Sequence, residues 1–239
     1  MKGIALSVAL LALGAAGQVF LASRRPVDTP LVADSAVAAL GGLRSLAAEA
    51  VWFRADRLQD EGRYVELAQL ASTLTFMEPH TPEVWSYAAW NLAYNVSIMM
   101  PTLEDRWRWV EASLRLLRDD GLRLNPKEAE LYRELAWFFE IKVGTDIDAA
   151  SGVYREKWRE IVADVAARGA WGELAMSERD MDEVERVYGV RDWADPMASA
   201  IYWAHMGLRY AEGNDLAFMK EIIRQSVHIM NGRAKTPYP

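Results

Sequence analysis

The sequence predicts an all-α fold, in which helix–turn–helix pairs follow one apolar N-terminal helix. Apolar residues make up 51% of the 239-residue chain, which is enough to bury a proper core. No stretch alternates apolar and polar residues between hairpin turns, as a strand would. Helix-start signals recur instead, and three of them place a capping residue before a proline: Thr81-Pro82, Asn125-Pro126 and Asp195-Pro196.

The first element is an uncharged apolar segment, residues 3–22, which lies between Lys2 and the pair Arg24-Arg25. Twenty helical residues span about 30 Å, the thickness of the hydrocarbon core of a bilayer. A cleaved signal peptide and an uncleaved anchor both fit this segment. Its length favours the anchor, because signal-peptide cores have about 7–15 apolar residues. We therefore expect residues 1–25 to form a transmembrane or signal-anchor helix.

The basic residues that flank this segment point to opposite orientations. Lys2 and the terminal amine favour a cytoplasmic N-terminus, whereas Arg24 and Arg25 favour the reverse. A very short tail before an apolar segment is typical of a signal-anchor, so we expect a single-pass protein with an extracytoplasmic, periplasmic body. Residues 26–35 contain two prolines and are expected to form a stiff spacer.

The body, residues 36–232, carries a recurring pattern of aromatic, small and proline residues, and residues 233–239 are expected to be an extended tail. The pattern follows W-x2-L-G-x2-Y with a closing proline every 34 residues. Pro126 lies 47 residues after Pro79, so the second unit carries 13 extra residues, among which we place 99–101. The positions expected to pack the helix pairs are Ala55, Gly62, Tyr64, Pro79, Trp85, Ala89, Pro126, Tyr132, Ala136, Trp203, Gly207 and Tyr210.

These matches cover residues 43–143 and 197–230, and they resemble the tetratricopeptide-repeat (TPR) superfamily. The resemblance implies a right-handed superhelix, an α-solenoid, in which the first helix of each pair lines a groove. It also implies that the ligands are proteins or peptides. It names no particular partner, because the family binds many.

In that family, five positions of each first helix line the groove. Trp90 and Trp137 occupy the same position in successive units, and exposed rings there would anchor a helix or extended segment of a partner. The alternative is that both rings pack against the spacer, the inserted residues or the membrane surface. The candidate groove residues are Trp52, Asp56, Trp90, Tyr94, Arg133 and Trp137, and the remaining groove positions are Glu49, Gln59, Asp60, Glu83, Ser86, Ala93, Glu130, Glu140 and Ile141.

Charge and motif content weigh against several other classes of function. Without Lys2, Arg24 and Arg25, 24 basic residues remain against 34 acidic ones, and such a body repels nucleic acid. The chain has no cysteine, so disulfides, thiolate metal sites and cysteine nucleophiles are excluded. The three histidines lack metal-ligand spacing, and no phosphate loop or nucleophile motif is present. We therefore expect no catalytic residue, cofactor or metal.

The sequence leaves three functional hypotheses open. The first is a membrane-tethered scaffold that binds or assembles the protein partners of an envelope or secretion-type complex. The second is a single-pass accessory subunit, whose small residues Gly14 to Gly17 would make the N-terminal helix itself an interface. The third is a secreted, cleaved helical-repeat protein or an enzyme without a recognisable motif.

Overall fold

A computed structural model describes residues 49–190 and 192–235, and every secondary-structure element within them is helical. The prediction of an all-α fold is therefore confirmed for this part of the chain. The expected anchor at 1–25, the spacer at 26–35 and the last four residues lie outside the described residues. Among the helices that are described, none is both long enough and apolar enough to cross a bilayer.

The chain divides into two units between Arg54 and Ala55, and all packing described below lies within the unit that begins at Ala55. The helices are α1 (residues 49–60), α2 (Tyr64–Met77), α3 (Pro82–Trp90), α4 (Leu103–Arg115), α5 (Ala129–Trp137), α6 (Ser151–Arg168), α7 (Glu178–Tyr188), α8 (Pro196–Gly207) and α9 (Gly213–Lys235). Helix α9 thus continues three residues beyond 232, where the extended tail was expected to begin.

Several helix starts use the predicted capping residues. Thr102 and Ser177 each accept a hydrogen bond from the backbone N–H three residues further on, at 3.0 and 3.2 Å. Asp195 likewise accepts a hydrogen bond from the second residue of α8, at 2.9 Å. Thr81 precedes Pro82 at the start of α3, although its side chain makes no capping bond. These caps satisfy N–H groups that have no partner inside the helix.

The start of α5 differs from the prediction, because Asn125 is not its N-cap. Helix α5 begins four residues later, at Ala129, after Glu128. Asn125 is buried, and its Nδ2 donates to the carbonyl oxygens of Pro79 at 2.9 Å and Gly121 at 3.0 Å. The amide thus ties the turn before α5 to the turn before α3. Buried polar groups require such partners, and here the available acceptors lie outside α5.

The 13 extra residues of the second unit do not form an inserted loop. Helix α3 continues without a break into a π-helical turn, Asn91–Val96, and α4 continues into another, Leu116–Gly121. Helix α5 continues in the same way through Phe138–Val143. A π-helical turn accommodates one extra residue within a continuous helix. Most of the added length lies in the helix extensions themselves, which carry α3 to Met99 and α4 to Gly121. Met99 ends this extension of α3 rather than belonging to a separate insertion.

Helices α3, α5 and α8 pack side by side, and their partners pack against them in turn. Helix α4 packs on α3 and α6, α7 packs on α8, and α9 packs on both α8 and α5. Equivalent hydrogen bonds recur 47 residues apart. Trp85 Nε1 donates to the Pro79 carbonyl and Tyr132 Oη donates to the Pro126 carbonyl, each at 3.0 Å. The large side chains buried between the helices include Phe138, Phe139, Tyr154, Tyr202, Leu131 and Leu135.

Gly207 brings α8 close to α5. A Cβ atom at this position would lie 2.6 Å from the Cβ of Tyr132 and 2.7 Å from the Sδ of Met219, which is closer than such atoms approach. The repeat pattern predicts that Tyr210 lies within a helix. Helix α8 ends at Gly207, however, so Tyr210 lies in the turn that follows. The Tyr210 ring stacks on Tyr132, with their centroids 5.7 Å apart, and stays partly exposed.

Candidate partner-binding surface

Trp90 and Trp137 are equivalent in the two neighbouring helices, because each is the last α-helical residue before a π-helical turn. The structure brings the two rings together, with centroids 5.1 Å apart and planes at 20°. Tyr94, four residues after Trp90 in the extension of α3, stacks on Trp90 at 4.2 Å. The π turns therefore place three predicted groove residues in one cluster, which we call the aromatic cluster (Trp90, Tyr94 and Trp137).

The three rings do not form a linear stack. Rings on opposite faces of Trp90 would have centroids roughly 9 Å apart, yet Tyr94 and Trp137 are separated by only 5.7 Å. Both rings therefore lie on the same side of the indole of Trp90. Trp90 nevertheless remains 40% exposed.

Carboxylates border the exposed ring. The indole N–H of Trp90 donates to Glu134 at 2.9 Å, and Ser86 Oγ donates to Glu130 at 2.7 Å, so α3 and α5 are joined twice. Burial and the nearby charges of Glu83 and Glu134 raise the pKa of Glu130, while the Ser86 hydrogen bond and the Arg133 charge oppose that rise. Several acidic groups thus share a partly desolvated surface beside the aromatic cluster.

Arg133 links this border to α9. Its guanidinium donates to Glu134 at 2.8 Å and to Asp215, and it lies 6.0 Å from the centroid of the Phe218 ring. Phe218 is 45% exposed. A continuous series of contacts therefore runs from Phe218 through Arg133 and Glu134 to Trp90. We call this surface the α3–α5–α9 face.

A buried layer supports the cluster from beneath. Phe138 is fully buried and meets Tyr94 edge-on, with the ring centroids 5.6 Å apart. Lys142, 1% exposed, pairs with Asp148 at 2.6 Å and places Nζ 4.9 Å from the centroid of the Tyr94 ring. Burial, with the charges of Glu134 and Asp148, raises the pKa of Tyr94. Its hydroxyl therefore stays protonated throughout the physiological range.

Helix α9 covers the opposite side of α5 and its extension, including Glu140, which the groove hypothesis places among the groove-lining positions. Glu140 is 3% exposed, and burial together with the charge of Glu221 raises its pKa to about 7. The guanidinium of Arg233 donates to the carbonyl oxygen of Gly144 and to Asp195. Glu140 is therefore part of an internal contact and does not line an accessible groove. Arg133, at the edge of this contact, is partly engaged by Asp215.

The remaining predicted groove residues are dispersed. Trp52 belongs to the unit that ends at Arg54, so it cannot be assigned to this surface. Asp56 is exposed on α1, where its charge adds to burial in raising the pKa of Tyr87, and Tyr87 Oη donates to Gln59 at 3.0 Å. Ala93 is buried.

Three residues of the surface, Glu134, Asp215 and Phe218, were not predicted. Glu134 follows Glu130 by one helical turn, a spacing that would have placed both on one face of α5. Phe218 could not have been found from this spacing, because only the docking of α9 brings it to the surface.

A concavity lies between α4 and α6, away from the α3–α5–α9 face. It has a volume of about 590 Å³ and an apolar floor that includes Leu114, Trp158 and Val165. The three arginines around it are already paired: Arg115 with Glu111, Arg118 with Asp119, and Arg168 with both Asp164 and Glu173. It therefore presents no uncompensated charge from these arginines. Among the described residues, no three acidic or histidine side chains are grouped so that they could hold a metal ion.

The sequence matches no protein-family model and no curated protein, and no solved structure matches the chain.

Proposed function

We propose that this chain is a membrane-tethered scaffold that binds or assembles protein partners through the α3–α5–α9 face. The observation that carries the proposal is the aromatic cluster, in which Trp90 stays 40% exposed although Tyr94 and Trp137 both stack on it. A preordered aromatic ring costs little entropy to dock, and such rings dominate protein interfaces. Tethering by the apolar segment 3–22 would raise the effective concentration of the body near membrane partners.

The same proposal includes a TPR-like superhelix of helix pairs. Its support is the recurrence of equivalent features 47 residues apart: Trp85 and Tyr132 bind the carbonyl of the preceding proline, and Trp90 and Trp137 precede π turns. Side-by-side packing of α3, α5 and α8 fits the first helices of three successive units.

The proposal is tested with a double variant, Trp90→Ala and Trp137→Ala, in the full-length chain. Loss of two central rings is expected to weaken retention of partners, quantified after cross-linking in native membranes, by about 30-fold or more. The matched control is Phe76→Ala, which removes an 81% exposed ring from α2. If the double variant folds normally and retains every partner at the wild-type level, the proposed role of this face is wrong.

An accessory subunit that uses its N-terminal helix as an interface is the alternative, supported by the small residues at 14–17. Replacing residues 3–22 by an unrelated membrane-spanning sequence separates the two. A scaffold keeps its partners after this exchange, whereas an accessory subunit that binds through this helix loses them.

A further inference from the structure

We infer that the partner segment recognised by the α3–α5–α9 face is a cationic polypeptide, with an Arg or Lys side chain that stacks on the exposed ring of Trp90. This inference rests on the proposed function and deepens it. It depends on two properties of the surface: the excess of carboxylates, and the geometry of the ring that they border.

The charge of this face is unbalanced. Four carboxylates belong to this face, those of Glu83, Glu130, Glu134 and Asp215. Arg133 pairs with Glu134 and Asp215, and its charge also acts on Glu130. Two of them already bind neutral donors, namely Ser86 and the indole of Trp90. A carboxylate in its ionised form accepts several hydrogen bonds, so these oxygens can accept further donors from a partner.

The environment of Glu130 is consistent with this charge distribution, because its pKa is raised above the ordinary value. Burial is the largest cause, and the neighbouring Glu83 and Glu134 raise the pKa further. A positive group brought to this surface would reverse that effect and stabilise the ionised form of Glu130. An acidic partner would meet like charge and would have to desolvate it.

The position of Trp90 selects the same kind of partner. Cations bind over the face of a tryptophan ring within about 6 Å of its centroid, and Trp90 is 40% exposed with both of its stacking partners on one side. Glu134 lies 2.9 Å from the indole nitrogen, at the edge of that ring. A guanidinium or ammonium group above Trp90 would therefore reach both the ring and a carboxylate. The chain already makes this kind of contact, with Lys142 Nζ 4.9 Å from the Tyr94 ring.

The exposed Phe218 extends the site toward α9, so that the partner needs an apolar side chain beside its cations. Phe218 and Trp90 lie on either side of the Arg133–Glu134 pair. A partner segment that carries cations and one or two apolar residues would match this face, with its cations near Trp90 and Glu134 and an apolar side chain near Phe218.

The test uses the full-length chain in a neutral detergent, with 15N-labelled tryptophan indoles as the reporter. The probes are two peptides of about 12 residues that contain a central Leu, one with four Arg and the other with four Glu at the same positions. The Trp90→Phe variant assigns the Trp90 indole signal. We expect the Arg peptide to shift that signal in a saturable manner, and the Glu peptide to leave it in place.

Two variants relate the binding to the proposed contact. Glu134→Gln should weaken the affinity for the Arg peptide by about 5- to 10-fold, because it removes the carboxylate at the ring edge. Asp182→Asn removes an exposed charge from α7 and should change the affinity by less than about twofold. A rise from about 50 to about 300 mM NaCl should weaken the binding severalfold.

The inference is overturned if the Glu peptide shifts Trp90 as much as the Arg peptide does, if neither peptide shifts it, or if Glu134→Gln binds as wild type. These outcomes leave the proposed function standing, provided that the Trp90/Trp137 double variant still loses its membrane partners. Conversely, if the double variant keeps all of its partners, the proposed function is wrong, regardless of the result with the peptides.

Discussion

The two sides of α5 use the same helix in opposite ways. Toward α8 and α9 the contact is closed: Gly207 leaves room for the side chains of Tyr132 and Met219, and Glu140 is enclosed. Toward α3, the contact consists of large rings and polar pairs that remain partly exposed, with Trp90 at its outer edge. The side toward α8 and α9 holds the helices together, whereas the side toward α3 leaves part of its surface exposed.

This difference indicates which residues can change without loss of the fold. A closed side transmits any change in volume to its neighbours, because protein interiors are packed like crystals. The open side loses only part of the burial of a ring when the ring is removed. Truncation of a residue on the closed side should therefore lower the stability of the fold more than truncation on the open side. For the binding of partners, truncation on the open side should have the larger effect.

The largest expected effect is that of Tyr132→Ala. Tyr132 is 8% exposed and donates to the Pro126 carbonyl, so its truncation should lower the free energy of unfolding by about 3–5 kcal/mol. Trp90→Ala, on the open side, should cost less than about 2 kcal/mol although it removes a larger ring. Urea unfolding of both variants, followed by circular dichroism, measures the contrast. Equal losses of stability would mean that the two sides do not differ.

The next effect concerns the enclosed carboxyl group. The pKa of Glu140 is raised from 4.5 to about 7, so between these values the folded state binds more protons than the unfolded state. The free energy of unfolding should therefore fall as pH rises from about 4.5 to about 7, and stay low above that. Glu140→Gln should remove this dependence and add on the order of 2 kcal/mol at about pH 8.

Asp182→Asn is the control for that experiment, because Asp182 is exposed on α7 and its loss changes the net charge equally. Unfolding is measured at several pH values for wild type and both variants. Parallel pH profiles for wild type and Glu140→Gln would show that ionisation of Glu140 does not destabilise the folded state.

The smallest of the three effects is the difference in stability change between alanine substitutions at two glycines, Gly207 and Gly152. Gly207→Ala should destabilise by about 1–2 kcal/mol, because the new Cβ meets Tyr132 and Met219 and this outweighs the helical preference for Ala. Gly152→Ala in α6 has nothing within 4 Å and should stabilise by roughly 0.5–1 kcal/mol. Thermal unfolding of the two variants gives the signs directly. A stabilising Gly207→Ala would mean that α8 does not approach α5 so closely.

The helical character and several helix starts could be predicted from local residues. Capping by Thr102, Ser177 and Asp195 needs only neighbouring backbone N–H groups, so the sequence contains all the information. Asn125 was misassigned because its acceptors, Pro79 and Gly121, belong to other turns. The π turns were also missed, since no residue preference marks them and they lie in helix extensions whose length resembled an insertion.

The sequence by itself determined that the described chain is helical, and it placed Trp90 and Trp137 at equivalent positions 47 residues apart. Both properties follow from local preferences and periodicity. Only the tertiary structure decided that Tyr94 and Trp137 stack on one side of Trp90, and that α9 encloses Glu140 while Phe218 stays exposed. Those features depend on how far one helix is rotated against another, and no local preference of the sequence sets that rotation.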